Sequence, residues 1–116
     1  QLLGTTSEEG ELLGLDLIPG NILRFESESG IKIPHMGWNS VQYTPNQIFQ
    51  NLAENKFYFV HSYYFQPTDP NYSIAKTHYG LSFTSVINKD HIYGVQFHPE
   101  KSHKYGMQLL RNFSLI

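Results

Sequence analysis

The stretch KFYFVHSYYF, residues 56–65, constrains the fold of this chain more than any other. Six of its ten residues are Phe or Tyr. Such side chains suit a pleated, half-buried surface, so the run predicts one long β-strand and, with it, a sheet. Other extended segments fit the same picture. LLGLDLI (12–18) alternates and is closed by Pro19-Gly20 turn chemistry. NILRFES and IKIPHMG predict a hairpin joined by Glu28-Ser29-Gly30, after which Gly37-Trp38-Asn39 leaves the sheet. SIAKTHYG and SFTSVIN are further strands, and Asn88-Lys89-Asp90 turns the chain into HIYGVQFH as a second hairpin.

Helix signals are fewer. QLLGTTSEE has the look of the last turns of a helix, ending around Gly4 or in the Thr-Thr-Ser loop. Thr44-Pro45-Asn46-Gln47 predicts a short helix with Thr44 as cap and Pro45 in the first helical position; Ile48, Phe49 and Leu52 form its apolar side. Ser102 is placed to cap a final helix whose Leu109, Leu110 and Phe113 share a face. QPTDPNY predicts an irregular, exposed loop. The expectation is one strand-rich α/β domain over residues 1–116 with a helix at each end.

Composition narrows the function classes. The 116 residues support one small core, and 40% hydrophobic with 16% charged residues argues against disorder. Net charge is −2 and the eight Lys and Arg are scattered, so no nucleic-acid footprint is expected. No apolar run approaches membrane-spanning length and no signal peptide is visible, which makes the cytoplasm the default compartment. With no Cys there is neither a disulfide framework nor a thiolate metal site. The chain opens on Gln1-Leu2-Leu3, helix interior without a cap or an initiator Met, so the natural protein is expected to extend upstream.

Chemistry concentrates in GVQFHPEKSHKYG, residues 94–106. In extended chain, side chains two apart project to one face. Pro99 biases His98 towards the extended region, which puts the Cα atoms of His98 and Glu100 about 6–7 Å apart. A glutamate spans that distance to an imidazole nitrogen, leaving the other nitrogen free to take a proton from a nucleophile. A bare His-x-Glu is equally a surface histidine beside a solvated acid. Six histidines are present and His103 lies near His98, but no HExxH or similar ligand spacing appears, so no metal site is expected.

The longer string GVQFHPEKS resembles the C-terminal signature of the class I (triad) glutamine amidotransferases. QLLGTTSEEG looks like the continuation of that family's nucleophile elbow, a Gly-x-Cys-x-Gly-x-Gln run that would end on Gln1. PHMGWN (34–39) and FYFVHSYY (57–64) are similar to one branch, the glutaminase subunits of imidazole glycerol phosphate synthase from histidine biosynthesis. Close relatives serve amidation in surface-polysaccharide pathways, and these motifs do not separate the two.

The resemblance implies a flavodoxin-like open sheet with flanking helices, of which this chain is the C-terminal portion. It implies that a cysteine thiolate attacks the side-chain amide of glutamine, ammonia leaves, and water hydrolyses the thioester. His98 would be the base and then the acid, and Glu100 its orienter. The nucleophile would lie four residues before Gln1, so the 116 residues alone are expected to be inactive and poorly stable. Gln1, Glu9, Ser62 and Tyr63 match positions that bind glutamine, Glu9 through the substrate ammonium and the strand-end pair Ser62-Tyr63 largely through backbone N–H groups. Lys101, Tyr58, Trp38 and Asn39 match the docking face for a (β/α)8-barrel cyclase that receives ammonia through a channel, with Lys101 helping to gate passage. The family uses no metal or organic cofactor. Two alternatives stay open: another amidotransferase of the class, and a non-catalytic docking module that truly lacks the cysteine.

Overall fold

The computed structural model describes residues 18–26 and 30–116, together with the backbone of residues 6–7. The expected N-terminal helix, Gln1, Glu9 and almost all of the expected 12–18 strand lie outside the described residues; Ile18, at the end of that stretch, is buried. Nine strands are seen: β1 Thr6–Ser7, β2 Gly20–Arg24, β3 His35–Ser40, β4 Gln42–Tyr43, β5 Lys56–His61, β6 Tyr63–Pro67, β7 Ser73–Tyr79, β8 Leu81–Lys89 and β9 Ile92–Val95. One α-helix, α1, spans His103–Ser114. Seven strands form a sheet of order β1-β2-β6-β8-β7-β4, with β9 paired to β8; β3 and β5 form a second, two-stranded sheet. Among the described residues, only the β1–β2 pairing is parallel.

The long aromatic run is not one strand. It breaks at Ser62, with Lys56–His61 in the small sheet and Tyr63–Pro67 in the large one. Phe25 N–H donates to the Ser62 carbonyl at 3.1 Å and so pins the corner to the end of β2. The expected hairpin across residues 28–30 also fails, because Gly20–Arg24 pairs with β6 whereas His35–Ser40 pairs with β5. Trp38 and Asn39 do not leave the sheet: they face Tyr58 and Phe57 within the β3–β5 ladder. Thr6–Ser7, expected as loop, is a short strand beside Asn21 and Ile22. Of the expected exposed loop, Gln66 and Pro67 end β6 and Pro70–Tyr72 is a 3₁₀ turn capped by Asp69.

Other expectations hold. SIAKTHYG and SFTSVIN are strands, β7 and β8, which also pair as a hairpin about Gly80; the expected second hairpin joins β8 to β9, turning at Asp90 and His91 with Asn88 and Lys89 still in the ladder. Gly80 has φ +73°, where glycine has no steric penalty. The short helix is a 3₁₀ turn, Gln47–Phe49, and its cap is Asn46 rather than Thr44: Asn46 Oδ1 accepts from Ile48 N–H at 3.0 Å.

β5 alternates cleanly, with Phe57, Phe59 and His61 inside and Lys56, Tyr58 and Val60 more open. Its inner face joins Phe25, Phe83 and Phe97 in the main core, where Phe57 and Phe97 stack at 4.1 Å. Helix α1 covers this core with Gly106, Leu109 and Asn112. Leu110 and Phe113, placed on its apolar face from sequence, are half-exposed beside that stripe. Asn112 donates through Nδ2 to the carbonyls of Ile48 at 2.8 Å and Gln50 at 2.7 Å, which ties α1 to the 3₁₀ turn. Among the described residues, no helix is long and apolar enough to cross a membrane.

Candidate active site

The site is built where β9 ends and α1 begins. His98 keeps extended backbone (φ −100°, ψ 100°), as expected before a proline, and Pro99 opens a 3₁₀ turn, Pro99–Lys101. That turn carries Glu100 back to the imidazole, and His98 Nδ1 lies 2.7 Å from Glu100 Oε1. The carboxyl of Glu100 is held below its ordinary range, first by a backbone N–H of its own residue and next by the His98 hydrogen bond, with Lys101 adding a smaller charge effect. Glu100 therefore stays ionised and fixes Nδ1 as the protonated nitrogen, which leaves Nε2 as the lone-pair nitrogen able to accept a proton.

Backbone contacts fix this loop to β5. The His98 N–H donates to the Tyr58 carbonyl at 2.9 Å. The Ser102 hydroxyl, fully buried, donates to the His98 carbonyl at 2.7 Å and accepts from the Tyr58 N–H at 2.9 Å. Ser102 does occupy the position before α1, but its side chain makes no capping bond; it locks the histidine loop to the strand instead. Gly106 completes the clamp. A Cβ there would fall 1.9 Å from the Pro99 carbonyl oxygen, so only glycine lets α1 lie against the turn. Neither role was visible in the sequence; the only available signal was a Ser and a Gly at fixed offsets after His-Pro-Glu.

Trp38 and Tyr58 sit side by side on the outer face of the small sheet, their rings edge to face at 6.0 Å. Trp38 also stacks on His103 at 5.7 Å. Lys101 is exposed on the adjoining 3₁₀ turn. Asn39 behaves differently: its Nδ2 donates to the His78 carbonyl at 3.0 Å and lies 3.2 Å from His35 Nε2. So three of the four residues expected to dock a partner share a surface, while the Asn39 amide is turned onto β7 and the core histidine.

Ser62 and Tyr63 occupy the corner between the two sheets, four and five residues beyond Tyr58 on the same run of chain. His61 Nδ1 lies 2.7 Å from the Tyr63 carbonyl, and His61 Nε2 lies 2.9 Å from His35 Nδ1. Both imidazoles are buried. Desolvation is the main cause that lowers each to about 4, and the mutual charge effect lowers His35 further, so both are neutral at neutral pH. These two histidines belong to motifs noticed in the sequence, yet nothing local marks them as partners across 26 residues. Among the described residues, no group of three or more His, Asp or Glu side chains is arranged to hold a metal ion.

Comparison with known proteins gives the family. The family model for Glutamine amidotransferase class-I matches residues 10–116. The chain is 52% identical over 114 residues to "Imidazole glycerol phosphate synthase subunit HisH 2" of Methanococcus maripaludis, covering 97% of this chain and 56% of that protein. It is 46% identical over 121 residues to "Imidazole glycerol phosphate synthase subunit HisH" of Bdellovibrio bacteriovorus, covering 100% and 59%. A HisH 2 subunit of Pseudomonas aeruginosa is 48% identical over 115 residues, covering 97% and 57%. The chain thus spans a little over half the length of these relatives. A mixed α/β sheet closed by a C-terminal helix, a His-Glu pair at the head of that helix, and a match across nearly all of the sequence lead to one conclusion: the chain belongs to the class-I glutamine amidotransferase family.

Proposed function

We propose that this chain is part of a single amidotransferase domain of an enzyme that hydrolyses glutamine to glutamate and ammonia through a Cys-His-Glu triad. The observation that carries the proposal is the 2.7 Å contact between His98 Nδ1 and Glu100 Oε1, in a chain of this family. His98 Nε2 takes the proton of the cysteine thiol, the thiolate adds to the amide carbon, and the imidazolium returns the proton to the departing ammonia. Water, deprotonated by the same imidazole, then cleaves the glutamyl thioester and regenerates the thiol. The 116 residues contain no Cys, so the thiol is supplied from outside them.

The substrate contacts belong to the same proposal: Gln1 against the substrate, Glu9 against its ammonium, and the backbone N–H groups of Ser62 and Tyr63 against its α-carboxylate. The names of the relatives support a partner reading. Ammonia passes to a (β/α)8-barrel cyclase subunit that makes imidazole glycerol phosphate and AICAR in histidine biosynthesis. The outer face with Trp38 and Tyr58, next to exposed Lys101, supplies an aromatic and cationic docking surface of the kind that anchors protein interfaces.

The test is ammonia release from glutamine by the intact protein, with and without a cyclase subunit, combined with labelling by a diazoketone analogue of glutamine. Labelling of a cysteine, blocked by glutamine and lost with His98→Asn, is the expected result. An intact protein that neither labels nor releases ammonia overturns the reading.

A further inference from the structure

The two buried histidines form a directed chain whose polarity follows from chemistry alone. A carbonyl oxygen only accepts, so His61 Nδ1 donates to Tyr63 O at 2.7 Å. A neutral imidazole then has Nε2 as its acceptor, and that acceptor faces His35 Nδ1 at 2.9 Å. His35 Nδ1 is therefore the donor, and His35 Nε2 accepts from the Asn39 amide at 3.2 Å. The Asn39 Oδ1 in turn accepts from Ser40 N–H at 2.7 Å, which orients the amide. Every member has a partner and a single direction. Aromatic rings hold the imidazoles in place: His35 lies between Tyr79 at 4.0 Å and Phe59 at 4.8 Å, both stacked, and His61 packs on Phe25 and Phe83, each at 5.2 Å.

The end of this chain is the informative part. The bond from the His61 ring to the Tyr63 carbonyl closes a loop over residues 61–63. That loop encloses the two peptide planes that carry the Ser62 and Tyr63 N–H groups. In a trans peptide the N–H points opposite to the carbonyl. The Ser62 carbonyl is engaged by Phe25 N–H at 3.1 Å, so the Tyr63 N–H is directed away from β2. The plane carrying the Tyr63 N–H is thus set by Phe25, and the His61 ring bond closes the corner that carries both N–H groups.

We infer that His35 and His61, anchored by Asn39, are positioning residues that fix the Ser62–Tyr63 backbone for the α-carboxylate of glutamine. The inference rests on the amidotransferase reading above. It assigns the histidines no proton transfer; they act by holding two N–H groups in the geometry that a carboxylate needs. Breaking the chain weakens glutamine binding and leaves the hydrolytic step largely intact.

The experiment uses the intact protein with its cyclase partner and compares two substrates: glutamine and 4-aminobutanamide, which is glutamine without its α-carboxylate. His61→Leu removes the donor to Tyr63 and is expected to raise KM for glutamine about tenfold, with kcat changed by less than about threefold. The same variant leaves kcat/KM for 4-aminobutanamide unchanged, because that substrate has no carboxylate to place. His61→Asn, which keeps an N–H donor near the Nδ1 position, recovers part of the KM, whereas His35→Leu produces a smaller rise of the same kind. Equal losses with both substrates, whether through unfolding or a general loosening of the site, overturn the inference, as does an unchanged glutamine KM in an active parent. A parent protein that releases no ammonia at all overturns both this inference and the reading beneath it.

Discussion

The Tyr58 carbonyl accepts the His98 N–H at 2.9 Å, so the proposed triad histidine hangs from the strand whose outer face carries the proposed docking residues. Ser102 doubles the attachment by bridging the His98 carbonyl and the Tyr58 N–H. Ser102→Ala leaves the Tyr58 N–H without that acceptor in a fully buried place, which costs about 1–3 kcal/mol of stability. On the proposed mechanism, kcat of the intact protein is expected to fall about tenfold with KM for glutamine nearly constant, because the proposed base rather than the substrate is displaced. Denaturant unfolding and steady-state kinetics check the two halves separately.

Gly106→Ala tests the clamp from the helix side. In an ordinary helix this change stabilises by about 1 kcal/mol through propensity. Here the new Cβ meets the Pro99 carbonyl oxygen at 1.9 Å, so α1 must move off the turn that carries Glu100. The expected outcome is a net loss of about 1–3 kcal/mol in the unfolding free energy, opposite in sign to the propensity effect.

Glu100 separates activity from stability. Its side chain is 62% exposed, so Glu100→Gln changes the unfolding midpoint little. The amide no longer holds Nδ1–H by charge, and the proposed glutaminase kcat is expected to fall by about ten- to a hundredfold, whereas His98→Asn, which removes the proposed base, costs about 10²–10⁴. Single-turnover ammonia release measures both.

The buried histidine pair makes stability depend on pH. Folding lowers each from 6.5 to about 4, so between these values the unfolded chain binds protons that the folded chain excludes. Stability is full above about pH 6.5, falls as pH drops towards about 4, and levels off below. The loss for the pair is on the order of a few kcal/mol. The titratable groups near the pair are Tyr79, stacked on His35, and His98, whose charge acts on His61. Urea unfolding between pH 7 and pH 4 should show the slope, and the double substitution His35→Gln with His61→Gln should flatten it.

Trp38 is 45% exposed and rests on His103 and Tyr58. Trp38→Ala is expected to change the unfolding free energy by about 1 kcal/mol or less, while raising Kd for the proposed cyclase partner at least about tenfold. Titration calorimetry with the isolated subunit checks the affinity.

The parts that were legible in the sequence are the local ones. His98 and Glu100 are two residues apart, and the intervening proline restricts the geometry enough to bring them together. Strands β7 and β8 and the hairpin from β8 into β9 were legible because strand-forming runs are separated there by turn residues. What failed was assignment to sheets. Strand chemistry is the same on both sides of Ser62, so nothing in KFYFVHSYYF marks the change from one sheet to the other. For the same reason, two extended segments either side of residues 28–30 were paired with each other when each belongs elsewhere. The Ser102 bridge to Tyr58 and the His35–His61 contact join residues 44 and 26 apart, and no periodicity reports a register between them.

The pairing of β3 with β5 places His35 opposite His61 and Trp38 opposite Tyr58, on opposite faces of one small sheet. Two tasks are therefore written in alternate letters of the same two short strings. The inner letters are held by the core and by each other, so they change only together. The outer letters carry no such mutual constraint, and in the proposed reading they answer to the protein that covers them. A change of partner can thus be met on the outer face of the small sheet without disturbing the histidine pair behind it.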